Sequence, residues 1–513
     1  MITKRILKNT LMLYVRQIVL LLISLYTVRV VLDVLGVEDF GVYSVITGIV
    51  TICSFLSGSM ATSTQRYFSY AIGNDSNCND RLKYTFSVSL IIYLIICCLV
   101  LVILEGPGLW FVINKLNLPE GKIDSAIYLY HYSVITFCFT IMTAPFIAII
   151  ISHEDMHYFA CISLLEGIVK LFSVYALIYI PGEKLEVYGT LQLCTTFSIL
   201  IVYLVLCKKK YSECQFKKWY WDFSLFKEMF TFTSWTMFGQ LSTAARIQAV
   251  TILINQYFNP TVVAARAIAI TISSKVNIFS NNFNTGLYPV IIKNWASGKR
   301  EEMYDLIING SKLTFFLMWI LVLPLLFKME SILSFWLTEV PSHAVFYTKL
   351  ALIEALILSI SMPLTTAARA PGKMKIYELT LGTMQIMILV IAYIFLENGY
   401  LAYSVFIIAI VMNVVMFFVR LFIVSSLIGL PKKLFIKKAC TPMVYFIIIT
   451  YSFSLLISKI IPEGIAFDIV FVFLTILACI PVMFYTCIDK EWQDAIINYV
   501  RKKFLGKKLE RSL

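Results

Sequence analysis

Residues 229–291 read MFTFTSWTMFGQLSTAARIQAVTILINQYFNPTVVAARAIAITISSKVNIFSNNFNTGLYPVI, and their pattern decides how the chain folds. The stretch consists of two long apolar segments in which polar residues recur every three or four positions, the spacing of one helix face. The polar positions are Thr233, Thr236, Gln240, Thr243 and Arg246 in the first segment and Thr271, Ser274, Asn277, Asn281 and Asn284 in the second. This pattern predicts two membrane-spanning helices whose polar faces line a path through a bilayer.

Three cationic residues interrupt these apolar segments: Arg246, Arg266 and Lys275. A cation near the bilayer centre costs roughly 2.5–3.5 kcal/mol on insertion scales, so each is expected to face protein, water or an anionic ligand. Arg266 and Lys275 are nine residues apart in the sequence, which is about 180° around a regular helix. We therefore expect only one of these two side chains to point into any one cavity.

The same polar pattern occurs once more, 223 residues nearer the start of the chain. At that offset Gln17 aligns with Gln240, and the polar face through Thr51 and Ser54 keeps the phase of its partner. Six predicted spans precede the connector at 208–228, so the two copies run in the same direction. The pattern predicts a parallel pseudo-repeat of two six-helix lobes with a polar interface near the membrane midplane, which is typical of transporters.

Composition indicates an all-α polytopic membrane protein. Of 513 residues, 59% are hydrophobic and 14% are charged, against about 25% charged in an average soluble chain. Apolar runs long enough to cross a roughly 30 Å hydrocarbon core recur along the sequence. The predicted spans are 9–33, 41–63, 84–104, 126–150, 157–180, 187–207, 229–257, 261–288, 313–329, 347–368, 375–396, 400–427, 440–460 and 466–487.

These fourteen spans define the predicted organisation: an N-lobe at 1–207, a connector at 208–228, a C-lobe at 229–428, two further spans within 429–488 and a tail at 489–513. Most of the 43 Lys and Arg residues fall in the segments that this order makes cytoplasmic, so the positive-inside rule predicts that both termini are cytoplasmic. The basic, aromatic connector and the basic, amphipathic tail are expected to lie on anionic membrane lipid. The same distribution argues against nucleic acid as a partner.

The sequence contains none of the motifs that would indicate ATP-driven, metal-dependent or hydrolytic chemistry. No GxxxxGK[ST] phosphate loop, HExxH pattern or EF-hand is present, and the twelve cysteines form no CxxC motif. We therefore predict a transporter that is not an enzyme and needs no cofactor or metal.

Charged and polar residues at membrane depth predict the character of the transport path. Arginine and lysine neutralise diphosphates, and hydroxyls and amides exchange hydrogen bonds with sugars. Arg29 and Arg266 lie near the ends of their spans and could instead extend their heads to the interface. The predicted cationic cavity residues are Arg16, Arg29, Arg246, Arg266 and Lys275. The predicted polar lining residues are Gln17, Thr51, Ser54, Gln240, Ser274, Asn277 and Asn281.

Two acidic positions at membrane depth are candidates for coupling transport to H+ or Na+. Glu166 and Lys170 form an i, i+4 pair in the favourable order, and Glu354 lies in another span. A buried carboxyl that alternates between a proton and an ion pair can bias two conformations. The alternative for Glu166 is a permanent structural pair with Lys170.

Four short segments resemble the polysaccharide flippases of the multidrug/oligosaccharidyl-lipid/polysaccharide (MOP) exporter superfamily: Leu35-Gly36-Val37-Glu38-Asp39-Phe40-Gly41-Val42-Tyr43, Gln65-Arg66-Tyr67, Asn259-Pro260 and Leu287-Tyr288-Pro289. The resemblance implies a Wzx or O-antigen translocase type of protein with a MATE/MOP-like fold and alternating access. It also implies a location in the bacterial inner membrane. Arg66 falls at the predicted cytoplasmic edge and is not expected to line the cavity.

The implied substrate is an undecaprenyl-diphosphate-linked oligosaccharide, moved to the outer leaflet for O-antigen (lipopolysaccharide), capsule or exopolysaccharide synthesis, with glycan polymerase machinery as a partner. Two other functions remain open from the sequence. An ion-coupled multidrug exporter would share the architecture, but a cavity for cationic drugs should show acids and aromatics at depth. A membrane glycan polymerase or ligase is opposed by the short outer loops.

Overall fold

A computed structural model describes residues 2–74, 78–115, 122–214, 219–258, 260–337, 340–462 and 464–487, together with Gln493. Within these ranges every secondary-structure element is a helix and no strand occurs, which confirms the predicted all-α class. Apart from Gln493, the predicted amphipathic tail at 489–513 lies outside the described residues, as do residues 215–218 of the connector.

Sixteen α-helices follow one another along the described chain. The first seven are α1 (Ile2–Ile52), α2 (Ser54–Gly73), α3 (Cys78–Ile103), α4 (Leu109–Lys115), α5 (Ile123–Ser152), α6 (Met156–Tyr179) and α7 (Lys184–Lys210). The others are α8 (Phe223–Tyr257), α9 (Pro260–Ala296), α10 (Arg300–Trp336), α11 (Ala344–Arg369), α12 (Lys375–Glu397), α13 (Tyr403–Ile428), α14 (Lys432–Phe435), α15 (Thr441–Ile460) and α16 (Ile465–Cys487). Gly36 breaks α1 with a φ of 76°, where the sequence predicts the turn between the first two spans.

By length and composition, twelve helices of the described chain can cross a membrane. A bent pair, Asp39–Val50 and Ser54–Gly73, adds a thirteenth if it forms one span. The remaining predicted span corresponds to α8, which has 35 residues and is long enough. Its crossing of the membrane stays a prediction.

The chain forms two compact units. The first comprises Met1–Ala244, Thr285–Arg300 and Arg369–Gly382, and the second comprises Ala245–Asn284, Glu301–Ala368 and Thr383–Leu513. These units cut through α8, α9 and α12, whereas the predicted lobes were divided at the connector. Ion pairs join the first part of α8 to α2 and the end of α9 to the α5–α6 turn. Arg66 of α2 also bonds the carbonyls of Arg369 and Ala370, just before α12.

The first unit has an aromatic core shared by α2, α3, α5 and α7. Phe68, Phe86, Phe146 and Tyr203 are each at most 3% exposed. Gly167 brings α6 close to α1, because a Cβ at that position would lie 2.8 Å from Leu20 Cδ2. A larger residue there would push the two helices apart.

In the second unit, α15 and α16 pack on α10. The rings of Phe316 and Phe446 are 4.6 Å apart, and Trp319 Nε1 donates a hydrogen bond to Thr450 Oγ1 at 2.9 Å. Lys328, where the backbone of α10 leaves helical geometry, pairs with Asp468 at 2.5 Å. The last two spans are therefore attached to α10 by both apolar and ionic contacts.

Candidate functional site

The second unit contains a cavity of about 130 Å³ between α8, α9, α11 and α13. Its polar lining residues are Arg246, Arg266, Ser273, Ser274, Asn277 and Glu354. Two lining residues are cations and one is an anion, so the lining carries one excess positive charge. The volume is well below the roughly 300–1,000 Å³ of pockets for drug-sized ligands. We call this space the arginine cavity; its size suits a small anionic group rather than a whole oligosaccharide.

Arg246 enters the cavity from α8, and its charge is only partly compensated. Its Nη1 lies 3.3 Å from Glu354 Oε1, and the two side chains are 12% and 16% exposed. Charge-assisted N–H···O bonds are ordinarily about 2.7–2.9 Å, so this bond is long. The buried Nε of Arg246 has no hydrogen-bond partner among the described residues. Arg246 therefore retains a donor for a further acceptor.

Arg266 reaches the same cavity from α9 and is 6% exposed. Its Nη2 donates to the carbonyl of Ile247 at 3.2 Å, and its Nε donates to Thr251 Oγ1 at 3.4 Å. The guanidinium also lies 5.7 Å from the ring centre of Phe406. These contacts fix the guanidinium beside the backbone that carries Arg246, so two cationic groups converge on one small space.

The rest of the α9 face agrees only in part with the predicted polar lining. Ser274 and Asn277 line the arginine cavity, and the buried Asn277 Oδ1 has no hydrogen-bond partner within the described chain. Lys275 is exposed and is not among the lining residues. That separation of Arg266 from Lys275 follows from their nine-residue spacing. Asn281, also on α9, is exposed.

Asn413 is a site residue that sequence reasoning missed. Its Nδ2 donates to Glu354 Oε1 at 3.0 Å and to the carbonyl of Ala409 at 2.8 Å, and the residue is 2% exposed. None of the predicted site residues falls in the span at 400–427, which corresponds to α13. The available signal was that Asn413 is the single amide in that helix.

The predicted cavity residues of the N-lobe occupy different environments in the first unit. Arg16 is buried against α6: its Nη1 donates to Ser163 Oγ at 3.3 Å, and its guanidinium stacks 4.5 Å from the ring centre of Phe159. Arg29 is exposed. These two arginines thus lie on one helix but do not share an environment.

The predicted polar residues of the first unit also differ among themselves. Gln17 is half-buried and Ser54 is exposed. Gln240 lies close to Gly58 of α2, because a Cβ at Gly58 would be 3.1 Å from its Oε1. The side chain of Thr51 lies outside the described residues.

The two predicted coupling positions also differ. Glu166 accepts a hydrogen bond from Lys170 Nζ at 2.6 Å, with the side chains 36% and 40% exposed. The expected i, i+4 pair therefore forms, in a half-exposed position. Glu354 instead lies in the arginine cavity, bonded to Arg246 and Asn413.

A second buried arginine site lies in the first unit. It consists of Arg66 with Arg369, Ala370, Gly372 and Glu228, and we call it the Arg66 tie. Arg66 is 3% exposed; its Nε donates to the carbonyl of Arg369 and its Nη2 to that of Ala370, both at 3.1 Å. Its Nη1 lies 3.6 Å from Glu228. Gly372 has a φ of 80°, and a Cβ there would be 2.6 Å from Arg66 Nη2. The expectation that Arg66 does not line the cavity agrees with this packing, but its burial was not foreseen.

A separate ion pair of the first unit joins the end of α9 to the turn between α5 and α6. Lys293 Nζ of α9 pairs with Glu154 at 2.7 Å, and Gly73 of α2 lies so close to Lys293 that a Cβ would be 2.7 Å from its Cα. These contacts explain why the end of α9 belongs to the first unit. In the described residues no group of three or more His, Cys, Asp or Glu side chains is arranged to hold a metal ion.

The candidate spans make the chain a multi-pass membrane protein. It is similar to a multidrug resistance MATE family transporter of the MOP superfamily in the outward-facing conformation, with a TM-score of 0.73 and 14% identity over 83% of this chain and 96% of that one. A MATE structure in the straight conformation gives a TM-score of 0.71 with 14% identity, covering 83% and 97%. The MATE transporter VcmN of Vibrio cholerae gives 0.64 with 13% identity, covering 83% and 96%.

The sequence gives the narrower assignment. The family described as polysaccharide biosynthesis protein matches residues 6–295. The chain belongs to this family, a flippase family of the MOP superfamily, which confirms the resemblance in its short motifs. It is a transporter and not an enzyme. No curated protein sequence matches the chain.

Proposed function

We propose that this protein moves undecaprenyl-diphosphate-linked oligosaccharide units from the inner to the outer leaflet of the bacterial inner membrane. The products would serve O-antigen, capsule or exopolysaccharide synthesis, with glycan polymerase machinery acting after it. In this proposal both termini are cytoplasmic. The observation that carries the proposal is the arginine cavity: the buried guanidinium of Arg266 and that of Arg246, whose side chain is 12% exposed, converge on a small space that holds one carboxylate.

The arginine cavity supports an anionic substrate over a cationic drug. Arg246 has an unused donor, and a planar guanidinium binds phosphate through two parallel hydrogen bonds. The likeness to MATE transporters concerns the fold, since identity is only 14%. In the proposed function Arg246 and Arg266 bind the diphosphate, while Ser274 and Asn277 offer hydrogen bonds beside it.

The other predicted residues are assigned to the rest of the substrate path and to energy coupling. Lys275, Arg16, Arg29 and Asn281 are proposed to contact other parts of the substrate path. Because the arginine cavity of about 130 Å³ is too small for a glycan, the sugars must be bound elsewhere. Coupling to H+ or Na+ is assigned to Glu166 or Glu354.

Reconstitution tests the substrate class. Purified protein in liposomes should translocate a fluorescent polyprenyl-diphosphate oligosaccharide between leaflets, and a dithionite quench of outer-leaflet fluorescence measures the rate. The same liposomes should not accumulate the cationic dye ethidium. In a strain that lacks the gene, surface glycan should return only when the wild-type protein is expressed.

The control is a lipid-linked monophosphate carrying the same sugars, which offers fewer oxygens to the two arginines and should be moved more slowly. Ethidium transport without lipid translocation would replace this proposal with the multidrug exporter. Glycan units that have already reached the outer leaflet in the deletion strain, but remain unpolymerised, would instead indicate a polymerase.

A further inference from the structure

The structure assigns Glu354 a second role: it is a built-in counter-anion that occupies Arg246 until the substrate's diphosphate displaces it. This inference rests on the proposed function and adds the step by which the site exchanges one anion for another. Glu354 would thus neutralise Arg246 in the absence of substrate and weaken substrate binding by competition. The exchange makes and breaks only hydrogen bonds and ionic contacts.

The bond that must break is a weak one. A single contact of 3.3 Å joins Arg246 Nη1 to Glu354 Oε1, where a strong charge-assisted bond is about 2.7–2.9 Å. A guanidinium can bind two oxygens in parallel, but Glu354 supplies one, and Arg246 Nε has no partner in the described part of the chain. A diphosphate carries enough oxygens to bond Nη1 and Nε separately, which one carboxylate oxygen cannot do, so it competes favourably for this arginine.

A second cation in the same cavity favours the diphosphate further. Arg266 lines the cavity with Arg246, and its Nη2 donates to the backbone of Ile247, the residue after Arg246. The single carboxylate Glu354 accepts a hydrogen bond from Arg246, whereas the hydrogen bonds of Arg266 go to Thr251 and to the carbonyl of Ile247. A diphosphate carries more charge and more oxygens, so one ligand can interact with both arginines.

Asn413 gives the displaced carboxylate a place to remain. Its Nδ2 donates to Glu354 Oε1 at 3.0 Å, and the same nitrogen is fixed by the carbonyl of Ala409 at 2.8 Å. Glu354 therefore keeps one hydrogen-bond donor after Arg246 turns to the ligand, which reduces the cost of leaving a buried acid without its cation. Asn413 is in this sense a positioning residue for the exchange.

Calorimetric titration of the purified full-length protein with inorganic diphosphate tests the exchange. Removing the competitor in Glu354→Gln should tighten diphosphate binding about tenfold, which corresponds to about 1.4 kcal/mol, the size of one charge-assisted hydrogen bond. Glu354→Asp retains the charge but withdraws it by one methylene and should tighten binding by a smaller factor. The gain should disappear in the double variant Glu354→Gln/Arg246→Ala.

Glu397→Gln is the matched control, because it removes the same charge from an exposed position of α12 and should bind like the wild type. If wild type binds and Arg246→Ala does not, but both Glu354 variants bind no tighter than wild type, the exchange is refuted while the proposed function stands. Equal tightening in Glu397→Gln would also refute it, since net charge would then be the cause. If neither wild type nor any variant binds diphosphate, the anion site and the exchange both fail.

Discussion

The Arg66 tie and the arginine cavity each bury cationic groups, but they use them differently. Arg66 donates to two carbonyls, approaches Glu228 and packs against Gly372, so its guanidinium is enclosed by protein. Arg246 has one long contact, an unused Nε and a cavity beside it. A buried arginine whose nitrogens face carbonyls and a carboxylate holds chain segments together, whereas one with an unused donor beside a cavity is a ligand site.

The largest expected effect is on transport, in the arginine cavity. Arg246→Ala should reduce translocation of the lipid-linked glycan by about a hundredfold or more, since truncating one member of a buried charge pair costs about 2–5 kcal/mol. The amount of protein in the membrane should stay near the wild-type level. Liposome translocation and surface glycan measure the first quantity, and immunoblotting measures the second.

Because Arg246→Ala also leaves Glu354 without its cation, Arg266→Ala serves as an independent variant, and it too should lose transport. Arg246→Lys should retain part of the activity, because it keeps the charge but not the planar fork. Arg81→Ala, which removes an exposed arginine of α3, is the control and should transport normally. Normal transport in both Arg246→Ala and Arg266→Ala would show that the arginine cavity is not a ligand site.

The opposite outcome is expected at Arg66. Arg66→Ala leaves two carbonyls without a donor and opens a space beside Tyr67, whose ring centre is 4.4 Å from the guanidinium. A loss on the order of 3 kcal/mol follows from two charge-assisted hydrogen bonds after partial compensation by water. The apparent unfolding temperature in detergent should fall on the order of 5 °C.

Arg81→Ala again provides the control, since Arg81 also stacks on an aromatic ring, at 5.2 Å from the centre of Tyr70, but is exposed. Its unfolding temperature should be nearly unchanged. If Arg66→Ala unfolds at the wild-type temperature and yet fails to transport, Arg66 belongs to the transport machinery and the distinction between the two clusters is wrong.

A glycine comparison isolates the packing of the Arg66 tie. Gly372 and Gly399 both have a φ of 80°, but a Cβ at Gly372 would lie 2.6 Å from Arg66 Nη2, whereas a Cβ at Gly399 meets nothing within 4 Å. Each Gly→Ala change should cost about 1 kcal/mol for the left-handed backbone. Gly372→Ala should cost about 1–2 kcal/mol more, because the displaced guanidinium loses hydrogen bonds. Thermal unfolding of the two variants side by side measures this difference, and equal midpoints would show that Arg66 can move at no cost.

Sequence periodicity predicted the helical class and most span positions because bilayer thickness imposes a length on every apolar run. It also predicted that Arg266 and Lys275 point apart, since helix geometry fixes the angle between them. It could not predict the Arg66 tie or Asn413. These depend on which helices meet, as when Arg66 and the carbonyls of Arg369 and Ala370 come together across some three hundred residues of sequence.

The smallest effect on stability is expected at Glu166, where the sequence left two interpretations open. The Glu166–Lys170 pair spans one helical turn and both side chains are more than one third exposed. Pairs of this kind contribute about 0.3–0.5 kcal/mol, so Glu166→Gln should leave the unfolding temperature within about 1 °C of the wild type. Any loss of transport in this variant would then have a functional cause rather than a structural one.

Transport assays on the single and double variants distinguish the two interpretations of Glu166. If Glu166 couples transport to protons, Glu166→Gln should block glycan movement driven by a pH gradient and leave diphosphate binding intact. If the pair serves only charge compensation, the variant Glu166→Gln/Lys170→Met should transport normally, because it removes both charges together. Normal transport and continued proton movement in that double variant would exclude Glu166 as the coupling residue. Glu354 would then be the remaining candidate. Its carboxylate accepts hydrogen bonds from Arg246, which a ligand can also bind, and from Asn413, which holds the carboxylate in position.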